Sequence, residues 1–175
     1  MTGGSRIAAR AVNALDALGR HTGHAIAWLT LALGLVGTAV VLLRYAFDTG
    51  WIWMQESLTW MHALTFMLGA AYTLEADEHV RVDIFYRDWS PRRQATVDLV
   101  GTMLFLLPLC AFLLWVSYPY VEGAWRIAER SREAGGLPAL YLLKAVIPAM
   151  AVLLVLQGLA RALRCVLTLM QRPLD

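Results

Sequence analysis

The sequence predicts an all-α integral membrane protein with four transmembrane helices. Of its 175 residues, 59% are hydrophobic and only 16% are charged, and the mean hydropathy is +0.56. A soluble domain of this length does not need so much apolar surface. Since about 20 apolar residues cross a bilayer as a helix, the four long apolar runs are predicted to be the spans: residues 25–46, 56–74, 95–119 and 139–160.

The four spans form one predicted membrane domain, residues 25–168, between an amino tail at 1–24 and a carboxyl tail at 169–175. The first span exceeds the roughly 7 to 15 apolar residues of a cleaved signal peptide, so we expect it to be retained. Ser90 followed by Pro91 is typical of a helix start, and it should begin the third helix.

The basic residues indicate how the chain is oriented. Arginine and lysine in short loops favour the cytoplasmic side, which predicts cytoplasmic termini and outer connections at 47–55 and 120–138. In a bacterial inner membrane the outer side would be the periplasm. The residues that fall on the predicted inner side are Arg6, Arg10, Arg20, Arg81, Arg87, Arg92, Arg93, Arg161, Arg164 and Arg172. Those that fall on the outer side are Arg44, Arg126, Arg130, Arg132 and Lys144.

Tryptophans stand at the predicted membrane boundaries. Trp51 and Trp53 are outer and Trp89 is inner, and indole rings prefer the headgroup level. These three residues are therefore interpreted as membrane anchors.

Three polar residues of the spans are candidates for contacts with another subunit. Glu56 is predicted in the first turn of the second helix, where a carboxylate suits the helix dipole or reaches a neighbouring helix. His62 is deeper, where a polar residue faces protein rather than lipid, and its simplest interpretation is a hydrogen-bonded core histidine. Lys144 is expected to extend towards the outer surface or to pair with an outer carboxylate. The alternatives are a contact with a partner subunit and a role in the passage of an ion or substrate.

Helical periodicity predicts an amphipathic helix between the third and fourth spans. Val121, Ala124, Trp125 and Ala128 recur on one face, and the sequence Gly135-Gly136 is expected to end the helix. It either lies on the lipid surface or forms a docking face for a periplasmic protein. The docking candidates are Trp125, Arg126, Glu129 and Arg130.

The second connection mixes charged and apolar residues most densely. His79, Arg81 and Asp83 lie within it, and its periodicity permits either a short helix or an extended segment. Elsewhere the chain has no catalytic set, phosphate loop or metal cluster, and it has no internal repeat. A net charge of +2 also offers no excess of positive charge for nucleic acid. We therefore expect no enzyme activity and no cofactor, and four helices suggest one subunit of a larger membrane complex.

Several motifs resemble the small permease subunit of tripartite ATP-independent periplasmic (TRAP) transporters. They are Gln55-Glu56, the run from Leu68 to Leu74, and the run from Asp77 to Asp83 that contains His-Val-Arg-Val-Asp. Ser90 to Arg93, Gly135 to Ala139 and Gln157-Gly158 resemble the branch described for mannitol or chloroaromatic compounds. Many family members have two acidic residues where this chain has Gln55-Glu56.

The resemblance implies a scaffold in a secondary-active, usually sodium-coupled importer of a small organic acid. Its partners would be a large permease subunit, which holds the substrate and sodium sites, a periplasmic binding protein and membrane lipids. On this hypothesis His79, Arg81 and Asp83 hold the cytoplasmic connection, and the segment near Trp125 docks the binding protein. The alternatives are a haem-binding anchor of a redox complex and a stand-alone small membrane transporter.

Overall fold

The computed structural model describes residues 3–76, 86 and 88–170, with side chains from residue 12 onwards. Within that part of the chain all regular structure is helical. The elements are α1 (Gly3–Ala46), α2 (Ile52–Glu75), α3 (Pro91–Gly101), a π-helical turn (Thr102–Leu106), α4 (Leu107–Arg126) and α5 (Leu140–Met170). We call the end where α1 begins and α5 ends the inner end, and the opposite one the outer end.

Among the described residues, three helical stretches are long and apolar enough to cross a membrane: Val12–Ala46, Pro91–Arg126 and Leu140–Met170. In the first stretch, no residue of the most apolar segment is buried inside the chain. In the other two stretches, most residues of the corresponding segment are not buried. Exposed apolar surface of this extent needs lipid or protein to cover it. The predicted second span coincides with α2, whose 24 residues suffice in length but which includes more polar residues.

The helices are longer than the predicted spans. Helix α1 begins at Gly3, inside the predicted amino tail, and α4 continues past Pro119 as far as Arg126. Hydropathy marks only the part of a helix suited to hydrocarbon, whereas the helix itself continues until a residue breaks it. The predicted start of the third helix is confirmed, because the Ser90 hydroxyl accepts from the Arg93 N–H at 3.4 Å and Pro91 is the first helical residue.

The predicted amphipathic segment is the end of α4 rather than a separate helix. Helix α4 continues through Pro119 as far as Arg126. The helix ends where Ala128 adopts a φ of 45° and the Glu129 N–H donates to the Ala124 carbonyl at 3.0 Å, a common helix-ending arrangement. Gly135-Gly136 therefore does not end a helix, and residues 127–139 form an irregular outer loop.

The helix pair α3–α4 is continuous through the π-helical turn. That turn ends at Leu106, two residues before Pro108, whose ring nitrogen cannot donate to a carbonyl of the preceding turn. A local change of helical pitch beside a proline is a usual response to the missing hydrogen bond.

Helix α5 is the central element of the part of the chain that the structure describes. It packs against α1, α2, α3, α4 and the π-helical turn, whereas α2 and α4 make no contact with each other there. Glycines allow the closest approaches: a Cβ on Gly23 would lie 2.4 Å from the Tyr72 ring, and one on Gly158 would lie 2.9 Å from Leu106. The result is an open array around α5 rather than a closed four-helix bundle.

Candidate functional site

At the outer end, the Glu56 carboxylate binds the outer loop. Its Oε1 accepts from the Ser131 hydroxyl, and its Oε2 accepts from the Leu137 N–H at 2.6 Å. Because α2 begins at Ile52, Glu56 lies beyond the first turn, and the prediction that it belongs to that turn was wrong. The carboxylate instead joins α2 to a loop more than 70 residues away in sequence.

Lys144 forms the second polar attachment of the outer loop. Its Nζ donates to Glu129 Oε2 at 2.5 Å and lies 4.1 Å from the centroid of the Tyr120 ring. The two charged side chains are only 16% and 19% exposed. Of the alternatives predicted for Lys144, the one found in the structure is the ion pair with an outer carboxylate.

The four docking candidates have different environments. Glu129 points inward to Lys144, whereas Trp125 is half exposed with its ring 4.7 Å from the Tyr141 ring, edge to face. Arg126 pairs with Glu122 at 2.7 Å, one turn back on α4. Arg130 is exposed and has no ion pair within residues 12–76, 86 and 88–170. Arg132, which was not among the predicted docking candidates, is likewise exposed and without an ion pair in the described part of the chain.

A layer of ion pairs, absent from the predictions made from the sequence, joins the helices at the inner end. We call it the inner ion-pair layer, and its pairs are Asp16–Arg164 at 2.9 Å, Arg20–Glu75 at 3.0 Å and Asp98–Arg161 at 2.9 Å. Tyr86 donates its hydroxyl to Asp98 at 2.7 Å, and the Gln157 amide donates to the Leu15 carbonyl at 2.7 Å. One signal was available, because Asp98 falls inside a predicted span, where a carboxylate needs a counter-charge.

A cavity of about 450 Å³ adjoins this layer. Its lining is mixed, with acidic residues, basic residues and Cys165. The candidates His79, Arg81 and Asp83 belong to the connection that precedes Tyr86 and lie outside the described residues.

His62 lies on an exposed face of α2, next to Phe66, whose side chain is 73% exposed. The interpretation of His62 as a core histidine was therefore wrong. His21 and His24 donate through Nδ1 to carbonyls one turn back in α1, at 2.7 Å and 2.9 Å.

The tryptophans assigned as anchors lie at both ends. Trp51 and Trp53 are about half exposed at the outer end. Trp89 is partly buried at the inner end, where the guanidinium carbon of Arg93 lies 5.2 Å from its ring centroid. Their anchoring role stays a prediction.

The polar groups of the described residues mostly bind one another and hold helices or the outer loop. No group of three or more His, Cys, Asp or Glu residues that could bind a metal occurs among them. Long apolar helices with unburied faces and paired charges define an integral membrane protein. Its polar groups hold its own helices and outer loop together.

The sequence matches the DctQ component of tripartite ATP-independent periplasmic transporters over residues 33–168. The chain belongs to this family and is a small membrane subunit of a TRAP transporter, which works with a large permease subunit and a binding protein. The family assignment made from the sequence is thus confirmed, whereas the branch assignment stays a prediction. No curated protein and no solved structure matched the chain.

Proposed function

We propose that this subunit is a scaffold of a secondary-active, sodium-coupled importer of a small organic acid in a bacterial inner membrane. It crosses the membrane four times, braces the large permease subunit with exposed helix faces, and docks the periplasmic binding protein at its outer loop. The observation that carries this proposal is the family match over residues 33–168 on helices whose apolar faces are left unburied. Sodium, the organic acid and the mannitol or chloroaromatic branch rest on sequence resemblance.

The fourth crossing is assigned to α2. Its 24 residues rise by about 36 Å at 1.5 Å per residue, more than the roughly 30 Å of a hydrocarbon core. With four crossings both termini lie on the same side of the membrane. The excess of arginine at the inner end supports a cytoplasmic location for that end. Trp51 and Trp53 then lie at the periplasmic boundary, with Trp89 at the cytoplasmic one.

The contact with the large subunit is assigned first to the exposed face of α2 around His62. An imidazole this far from the helix ends is costly in lipid, so a protein surface with a hydrogen-bonding group is the favoured cover. His79, Arg81 and Asp83 are proposed to contribute at the cytoplasmic connection. Glu56 and Lys144 bind the outer loop of this chain, so they are proposed to act on that loop rather than on the large subunit.

Co-purification of the large subunit with a tagged small subunit tests this assignment. His62→Leu should lower recovery about threefold, in keeping with the roughly 0.6 kcal/mol of an average hydrogen bond between membrane helices. His62→Gln, which keeps hydrogen-bonding capacity, should restore it. His24→Leu is the matched control, because that ring binds its own helix. Equal recovery for all three variants would remove His62 from the interface.

The outer loop and the end of α4 are assigned to docking the binding protein, because the loop presents Arg130 at the surface and the helix end presents Trp125 and Arg126 there. The alternative of a haem-binding anchor is not favoured by the family, which is a transporter component.

A further inference from the structure

The outer loop is closed on itself where it meets Glu56. The Ser131 N–H donates to the Leu137 carbonyl at 3.2 Å, and the Glu133 N–H donates to the Ser131 hydroxyl at 3.2 Å. The Glu56 carboxylate accepts hydrogen bonds from both residues that close the loop, from the Ser131 hydroxyl and from the Leu137 N–H. Hydrogen bonds to a charged acceptor are about twice as strong as neutral ones. We call this arrangement the Glu56 latch.

The latch also requires a residue without a side chain. A Cβ on Gly136 would lie 2.4 Å from Ser131 Oγ and 2.8 Å from Glu56 Oε2. Gly135 beside it has a φ of +81°, which glycine adopts at little cost. Residues 131–137 are therefore fitted to the carboxylate in both shape and hydrogen bonding.

The latch leaves two guanidinium groups facing outward. Arg130 and Arg132 flank the anchored Ser131 and are exposed. The acidic residues nearest to them in sequence are used elsewhere or exposed: Glu129 pairs with Lys144, and Glu133 lies at the surface. The fixed backbone of Ser131 thus sets where both arginine side chains begin.

We propose that Glu56 is a positioning residue, which latches the outer loop so that Arg130 and Arg132 meet an acidic surface of the periplasmic binding protein. This inference rests on the proposed docking function and names the charge that the docking partner must carry. A soluble protein is favoured over anionic lipid because basic side chains reach lipid headgroups without a fixed loop. A fixed loop instead lowers the ordering cost of a specific protein interface.

Tryptic cleavage of the purified full chain in detergent tests the latch by itself. Glu56→Gln keeps the size of the side chain but replaces one acceptor oxygen by a donor amide, and Gly136→Ala fills the space at Ser131. Both should speed cleavage after Arg130 and Arg132 about fivefold, as expected when roughly 1 kcal/mol is lost from a locally opening segment. Gly123→Ala is the control, since a Cβ there meets nothing within 4 Å. Cleavage at the wild-type rate in both variants would overturn the latch.

Uptake by the reconstituted three-part transporter tests positioning. Glu56→Gln and Gly136→Ala should raise the concentration of binding protein that gives half-maximal uptake about five- to tenfold, with the rate at saturating binding protein within about twofold of wild type. The double variant Arg130→Gln/Arg132→Gln should raise this half-maximal concentration by a similar factor. Adding Glu56→Gln to that double variant should have little further effect, because the arginines through which the latch acts are absent.

The outcomes separate the latch from docking itself. If the arginine variant raises the half-maximal concentration but the latch variants do not, Glu56 has no positioning role. If the arginine variant leaves it unchanged, docking at this loop is wrong, whatever the cleavage assay gives. If the arginine effect occurs only in anionic liposomes and disappears in phosphatidylcholine, lipid headgroups are the partner and the proposal fails.

Discussion

The two ends of the helices use charged side chains differently. At the inner end each pair of the ion-pair layer joins two helices, as Asp16 of α1 does with Arg164 of α5. At the outer end the charged groups of Glu56 and Lys144 each hold the outer loop. The inner pairs therefore fix how the helices lie against each other, and the outer pairs fix the shape of a surface.

Glycines at the two ends of the helices also have different structural roles. At the inner end Gly23 lets α1 approach α2 so closely that a Cβ would overlap the Tyr72 ring. At the outer end Gly136 lets the loop close around the Glu56 carboxylate. Substitution at the first should weaken the whole array, whereas substitution at the second should open only the loop.

The largest effect is expected from Gly23→Ala. Its Cβ would lie 2.4 Å from the Tyr72 ring, and overpacking of this kind costs about 1 to 3 kcal/mol. Thermal unfolding of the purified chain in detergent should occur at a lower temperature than in wild type. Gly34→Ala on the same helix is the control, because a Cβ there meets nothing within 4 Å. Equal unfolding temperatures for the two variants would contradict the close packing at the inner end.

A smaller effect is expected from breaking one pair of the inner layer. Asp16→Asn and Arg164→Gln should each destabilise the chain, with a coupling between them of about 1 to 2 kcal/mol in a double-mutant cycle. This coupling free energy is smaller than that of a fully buried ion pair, because the Arg164 side chain is 38% exposed. The four unfolding free energies measure the coupling, and a value below about 0.3 kcal/mol would mean that the pair does not hold α1 to α5.

The smallest effect is expected from Arg126→Gln at the outer end. Its side chain is 75% exposed in the pair with Glu122, and such surface pairs contribute about 0.5 kcal/mol or less. Lys144→Met, which leaves the mostly buried Glu129 carboxylate without its partner, should cost about 1 kcal/mol, because that carboxylate keeps part of its contact with solvent. Unfolding in denaturant compares the two, and a larger loss for Arg126→Gln would reverse the assignment of Lys144 as the attachment of the loop.

Much of the fold was predictable because hydropathy and helix starts are local. The apolar runs marked the helices, and Ser90 with Pro91 fixed the start of the third. The separate amphipathic helix was wrong because periodicity cannot tell a new helix from the continuation of α4. His62 was misassigned because its position along α2 gives its depth but not whether its face meets α1, α5 or neither.

The sequence by itself determined the family, the membrane class and the approximate helices, since each depends on residue types at short spacing. Only the tertiary structure decided which charges meet. Glu56 is 75 residues from Ser131, and Asp16 is 148 residues from Arg164. Such partners depend on how helices rotate and cross around α5, a property of side chains packing in three dimensions that no local pattern contains.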